Sequence, residues 1–534
     1  MTLNYNNIKN VMTGAADAYQ IDISKYYNLG KSSVLFHGMN GGIYFYRAIG
    51  RGTVNTSGIF YYTTSTAINT TSSYMGGRTF PLHGHIPALH GDVTYCQFGN
   101  QMSDGTERLL ILTKNGYVLG AGENAEGWLA QGNSTDRLIE LVEIYDPTDY
   151  SNDKAIKTRH SNGTSSHNTD CTVYVLTAGG KLWAAGDGNN GKLGQGSTSD
   201  SNVLVQTQDT SGAVSNFIDF ETTFGDDSTA VIAVKSDNSL WSLGAGETDV
   251  LGNGNTSDYQ TFTSIAELPT KKVKKIRFNS TINECTSYIL YDDGALWACG
   301  HNNRAQLANG NTTDVTTYFE TETGVDDMYM LNPEGESSTT NTGLIIRKGT
   351  TYYLAGYAAY NIMLNNVSNQ TSGYTDFTEM GTGLPSGFAI HTIFENIVSA
   401  GNNGQNGFIR IYNSTTGEYR ILAPMYNIDG QTGNNTQTTV SNPGTIDDVD
   451  ITKHLPCRVN DVEYMTYVGG HGCGSISWLL DKFGNVYACG SADSYNGSSI
   501  VDSLNSFPFD YGTRGTESEQ WRKVTFNGSK ERWT

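Results

Sequence analysis

The chain has 534 residues, of which 62 are Gly and only 10 are Pro, and hydrophobic residues make up 37%. That is too little Pro for a collagen or a Pro-rich linker protein, and too much apolar and aromatic material for bulk disorder. Lys and Arg number 33 against 53 Asp and Glu, a formal charge of −20 that disfavours nucleic acid and anionic membrane as partners.

In chain order, Met1 to Gly30 has neither the basic nor the apolar block of a signal peptide and is expected to be a docking arm (1–30), with the remainder (31–534) one folded unit. No apolar run is long enough for a membrane-spanning helix, so no membrane insertion is expected. A loose hairpin, VLFHGMNGGIYFYRA, ends near Ala48. Leu82-His83-Gly84-His85, with His90 nearby, is the densest histidine group. His83 and His85 would project to the same side of an extended segment, which makes the three weak metal-ligand candidates. The simpler reading is a Gly/His/Pro connection, and neither a metal nor any other cofactor is expected.

Four copies of one pattern follow: RLLILTKNGYVLGAGENAEGWLAQG, TVYVLTAGGKLWAAGDGNNGKLGQG, STAVIAVKSDNSLWSLGAGETDVLGNG and TSYILYDDGALWACGHNNRAQLANG. Each reads as a strand, a tight turn, a second strand and a polar loop. Landmark glycines stand at Gly122, Gly186, Gly244 and Gly300. Each is followed by a leucine (Leu129, Leu193, Leu251, Leu307) and then by Gly132, Gly196, Gly254 and Gly310. Weaker copies end at Gly356, Ala423 and Gly490. Three residues before each landmark is a bulky slot, filled by Leu119, Trp183, Trp241, Trp297, Tyr353, Arg420 and Tyr487. A short strand precedes the hairpins, as in VTYCQFG (93–99), NFIDFE (216–221), KKIRFN (274–279) and VEYMTYVG (462–469). WRKVTFNG (521–528) is left over at the end.

A repeat of this kind cannot bury both faces alone and must stack on its neighbours. The expectation is an all-β chain, a β-propeller of seven or eight four-stranded blades, closed by pairing the N- and C-terminal segments (closing strand 521–528), which removes free sheet edges. The Gly-x-Leu-Trp-x-x-Gly hairpin with its Asn-Asn-Gly-x-Leu-Gly-x-Gly loop resembles the repeat of the regulator of chromosome condensation family. The likeness is best over 108–200 and 229–315 and poor over the degenerate blades at 357–474. It implies a propeller. Function is open, since such propellers serve exchange factors, ubiquitin ligases, secreted inhibitors and phage virion proteins.

Chemistry-bearing motifs are sparse. Gly186-Asp-Gly188-Asn-Asn-Gly191 fits a dinucleotide fingerprint but lacks the strand–helix context, so its glycines read as blade turns. Seven scattered cysteines without a C-x-x-C pattern argue for thiols, with Cys299 and Cys489 in a small-residue core slot. No catalytic motif is recognisable, and the chain is not expected to be an enzyme. The favoured function is a virion structural or host-recognition protein (tail, fibre or capsid-decorating component), located in the virion. It would dock to other virion proteins through the arm and contact a host surface protein or glycan through its loops. The alternatives are a secreted propeller-type inhibitor and an intracellular exchange-factor-like regulator. The loops Asn133–Asn162, Pro333–Thr342 and Pro424–Pro456 read as long connections, with Tyr145, Tyr150 and Tyr426 as binding-loop candidates.

Overall fold

A computed structural model describes residues 23–523 apart from 48–77, 101–106, 162–170, 224–228, 332–341, 437–444, 492–517 and several stretches of one to four residues. Among the described residues the chain forms eight sheets of three or more strands, in sequence order along the chain. Seven contain a run of four antiparallel strands laid side by side in the order in which they occur. The second to fifth sheets begin at Val93, Ala155, Phe217 and Val273, and the sixth to eighth at Asp327, Phe388 and Val462. The chain is a β-propeller, and the sheet count is the eight-blade alternative.

The two middle strands explain why this pattern folds so. Along Thr172–Thr177, Val173 and Val175 pack against the second sheet, while Tyr174 and Leu176 pack against the fourth. Both faces are covered, which is why the strand reads as an unbroken apolar run instead of an alternating one. The same division recurs, with an apolar cluster between each consecutive pair from the second sheet to the eighth. Leu129, Leu193, Leu251 and Leu307 are each fully buried in these clusters. Each contributes about 2 kcal/mol relative to exposure. Trp183, Trp241 and Trp297 are half-buried and occupy one register, opposite Val175, Ala233 and Ile289.

The loops after the landmarks are held by backbone geometry. Gly186, Gly244 and Gly300 have φ of 113°, 101° and 108°, and a Cβ there would lie 2.1–2.4 Å from the carbonyl oxygens of Cys171, Thr229 and Cys285. Gly356 and Gly490 share this conformation, at 94° and 109°, as does Gly122 at 133°. Positive φ returns five, eight and ten residues on, where non-glycine residues such as Ala305, Ala130 and Asn366 adopt it too. The glycine at the tenth position reaches the next sheet: Gly132, Gly196, Gly254 and Gly310 donate to the carbonyls of Asn202, Gln260, Thr316 and Thr375 at 2.8–3.0 Å. Asp136, Asp200, Asp258 and Asp314 accept from the backbone N–H two residues after each landmark at 2.7–2.9 Å.

Three expectations are corrected. The terminal segments do not share a blade: Ser518–Lys523 is the outer strand of the eighth sheet, and the N-terminal hairpin lies in a sheet of its own. The arm ends earlier than Gly30, because Ile23–Asn28 pairs with Ser33–Gly38; residues 1–22 lie outside the described part. The seventh sheet was read two residues out of frame. Its landmark is Met425, not Ala423, and its bulky slot is Leu422, not Arg420. In that frame Gly430, Gly433 and Asn435 take the three positive φ values (74°, 68° and 67°), and Asn434 bridges Gln520 of the next sheet as Asn253 bridges Thr317. The shift arises because this sheet's hairpin has two extra paired rungs, Tyr412 with Tyr419 and Asn413 with Glu418.

Candidate interaction surface

The innermost strands of consecutive sheets run side by side from the first sheet to the sixth. From the second sheet to the sixth each carries a polar group in an equivalent place, read from the rung next to the bulky slot: Tyr95, Lys157, Asp219, Lys275 and Asp327; the eighth sheet has Tyr464 there. From the third sheet to the sixth the charges alternate in sign and pair across sheets. Lys157 Nζ lies 2.7 Å from Asp219 and 2.9 Å from Glu221, Arg159 Nε lies 2.6 Å from Glu221, and Lys275 Nζ lies 2.6 Å from Asp327. Burial pushes the Glu221 carboxyl up, but Arg159, Lys157 and Arg277 outweigh it and hold the group at about 2. This ladder joins four sheets and leaves its charges satisfied.

Deeper groups are consumed in the same way. Arg108 pairs with Glu123 at 2.5 Å, and Lys192 pairs with Asp187, all four buried. His160 is fully buried, and burial together with Arg108 lowers its pKa to about 3, so it is neutral. Burial raises the Cys171 and Cys299 thiols to about 12, far from the thiolate a nucleophile needs. The six described cysteines are free thiols, five of them buried.

One end of the sheets differs from this closed interior. In seven of the eight innermost strands the register slips by one residue, in the first turn-side rungs of six of them and, in the seventh sheet, after the three rungs Phe388–Ile390. A β-bulge re-aims the extra side chain and ends regular pairing there. The bulged residues are Ser24, Thr94, Ile156, Ile218, Lys274, His391 and Glu463. All but Ser24, whose side chain is outside the described set, are exposed. Ile156 and Ile218, each 51% exposed, occupy the same register on adjacent strands. The tight turns lie at this end, including that of the eighth sheet with Phe483, 58% exposed.

The residues singled out from sequence fall elsewhere. Tyr145 is no surface contact: it is fully buried, its hydroxyl donates to the Asp153 carbonyl at 2.5 Å, and its ring stacks on Tyr150 at 4.5 Å. Tyr150 in turn packs edge-on to Trp183 at 4.9 Å. Tyr426, His83 and His85 lie outside the described residues. His90 is 2% exposed, with Nε2 2.8 Å from Glu143 and its ring stacked on Tyr117. Among the described residues no three His, Cys, Asp or Glu side chains gather as metal ligands would, and no helix is long and apolar enough to cross a membrane.

Two of the long connections also prove built in. Asn133–Asn162 contains two strands and a 3₁₀ turn. In the third, Asn427, Gln431, Thr432 and Ile446 are buried. Asn427 Oδ1 accepts from Thr432 N at 3.0 Å, the bond that Asn124 and Asn302 make to Leu129 and Leu307. The remaining stretch, Pro333–Thr342, is outside the described residues except Thr342. Sequence reasoning missed the bulged residues, because a bulge leaves no mark in a six-residue strand.

Stacked four-stranded sheets, recurring glycine loops and a rim of bulges define a β-propeller with repeats like those of the regulator of chromosome condensation. No family model matches the chain. It is 31% identical over 141 residues to the E3 ubiquitin-protein ligase HERC2 of human and of mouse, an alignment covering 26% of this chain and 3% of that protein's length. Similar solved structures include human WBSCR16 (16% identity, TM-score 0.47, 80% of this chain and 96% of that one). Prp20p of Saccharomyces cerevisiae, studied for its binding to Gsp1p and histones, is 15% identical, with a TM-score of 0.45 over 70% of this chain and 80% of that one.

Proposed function

We propose that the chain is a non-enzymatic binding propeller, a structural or host-recognition component of a virus particle, and that it engages its partner at the end where the bulged residues stand. One observation carries the binding reading. Seven strands repeat the same backbone device, while the side chains it presents range from Ile to Lys, His and Glu. A constant scaffold with a varied, exposed display is what recognition needs. The buried carboxylates, bases and thiols are meanwhile spent on holding sheets together. The virion setting is supported by the scarcity of Lys and Arg and by a composition in which charged residues are only 16%. In this reading residues 1–22 dock onto other virion proteins, and the propeller meets a protein or glycan of the host surface.

Mass spectrometry of purified particles tests it. The chain should be present in fixed stoichiometry, and particles lacking it should fail to assemble fully or to adsorb. Recovery instead in a cell extract, bound to a small GTPase whose nucleotide it releases, would favour the regulator. Recovery from culture medium bound to a secreted enzyme would favour the inhibitor.

A further inference from the structure

The seventh sheet departs most from the repeat, and it departs at the bulged end. Its hairpin continues for two rungs past the level at which the other hairpins turn, Tyr412 opposite Tyr419 and Asn413 opposite Glu418. At roughly 3.4 Å per residue this carries the tip about 7 Å beyond its neighbours. The Tyr412 and Tyr419 rings lie 4.4 Å apart at 33°. The bulge at His391 turns that imidazole toward the same pair, with its centroid 5.3 Å from Tyr419 and 6.1 Å from Tyr412, edge-on to both. Ala389, exposed and paired with Tyr412, is the small residue beside them. Among the described residues neither tyrosine hydroxyl has a hydrogen-bond partner. Arg410, at the foot of the same hairpin, donates to the Val459 and Val462 carbonyls of the eighth sheet's entry, which fixes the hairpin against that sheet.

We infer that this projecting aromatic cluster, His391, Tyr412 and Tyr419 with Ala389 beside them, is a carbohydrate subsite that takes one neutral hexose of a surface glycan. The inference rests on the host-recognition reading above. Aromatic faces carry negative charge density and receive the polarised C–H groups of a pyranose ring, while the phenol hydroxyls and the imidazole Nε2 (Nδ1 being engaged with Thr392 Oγ1 at 2.7 Å) bond its hydroxyls. Tyrosine supplies this contact at low conformational cost, having two side-chain torsions. Burial and the nearby Arg410 lower the His391 pKa, so its ring is uncharged at neutral pH. Glu418 at the tip is paired with Arg420, Nε to Oε1 at 2.8 Å, so the repulsion comes from the chain as a whole: its charge of −20 disfavours sialylated, sulfated or phosphorylated sugars.

The test uses the purified full chain on an array of neutral, sialylated and sulfated oligosaccharides, with adsorption to host cells measured in parallel. Neutral hexose-bearing glycans should bind. Tyr412→Ala and Tyr419→Ala should each weaken binding about tenfold, whereas Tyr412→Phe should keep most of it, with circular dichroism unchanged throughout. Preference for charged glycans would overturn the proposal. So would glycan binding indifferent to both alanine variants, which would leave host recognition standing but place it elsewhere. Host-cell adsorption that is lost in the alanine variants without any glycan binding would overturn the carbohydrate class and mark the cluster as a protein contact. Absence of both glycan binding and adsorption would overturn the host-recognition reading itself.

Discussion

At the scale of residues, two buried groups set how the protein responds to acid. His160 has a folded pKa near 3, against about 6.5 when unfolded. The unfolded chain therefore takes up its proton first, and stability present above pH 6.5 is lost as the pH falls toward 3. Glu221 is depressed to about 2, so its contribution is present above an unfolded value of roughly 4.3 and is lost between there and 2. Melting curves should thus decline in two stages, the first beginning near pH 6.5. His160→Gln should flatten that first stage; an unchanged decline between pH 7 and 5 would refute the assignment. Glu221→Gln leaves Arg159 without its carboxylate and Lys157 with Asp219 alone, and should cost about 3 kcal/mol in urea unfolding at neutral pH. A loss within about 0.5 kcal/mol would mean the ladder is only a surface feature.

Elements add a second test, because the loop glycines are required for two separable reasons. At Gly132, φ is 70° and nothing lies within 4 Å of an added Cβ, so Gly132→Ala should cost about 1 kcal/mol from backbone strain alone. Gly186→Ala meets the Cys171 carbonyl as well and should cost a further 1–3 kcal/mol or so. Equal losses by thermal unfolding would contradict this division. The buried Asn302 is a third kind of support. Its side chain accepts from Leu307 N at 2.9 Å and donates to the Asn311 and Thr313 carbonyls. Asn302→Ala should therefore destabilise by about 2–3 kcal/mol, since it strands the buried Leu307 N–H and removes two further bonds to loop carbonyls. A loss under about 1 kcal/mol would show the loop to be held by its glycines instead.

These elements also show what a sequence can disclose. The landmark glycines and the leucines after them were readable because close backbone approach and full burial admit few residue types. The Asn124, Asn302 and Asn427 turns were not, because the third and fourth sheets have Gly188 and Gly246 at that position, so no one residue type repeats there. The seventh sheet was misframed for a related reason. Once Asn435 or Asn366 adopts the left-handed conformation without glycine, the pattern vanishes from the letters while the backbone keeps it. The surface was legible least of all: Tyr145 and Tyr150 were chosen for their residue type and proved to be packing, whereas Tyr412 and Tyr419 lie in the stretch where the repeat breaks down.

On the scale of the whole molecule, the two ends of the sheets divide the work. The glycine loops lock the second to sixth sheets each to the next by a repeated hydrogen bond, so variation there is costly. The opposite end carries bulged residues, tight turns and the projecting hairpin, where side chains change without disturbing a core. Lys154, Lys274 and Lys482 stand at the bulged end, while exposed Asp200, Asp258 and Asp314 mark the loop end. The central claim is that partners meet the bulged end. It is tested most directly by cross-linking the chain in its native assembly with an amine-reactive and, separately, a carboxylate-reactive reagent, followed by mass spectrometry. The account expects links to partner peptides at Lys154, Lys274, Lys482 and Glu463, and none at Asp200, Asp258 or Asp314. Partner links confined to those three aspartates would contradict it.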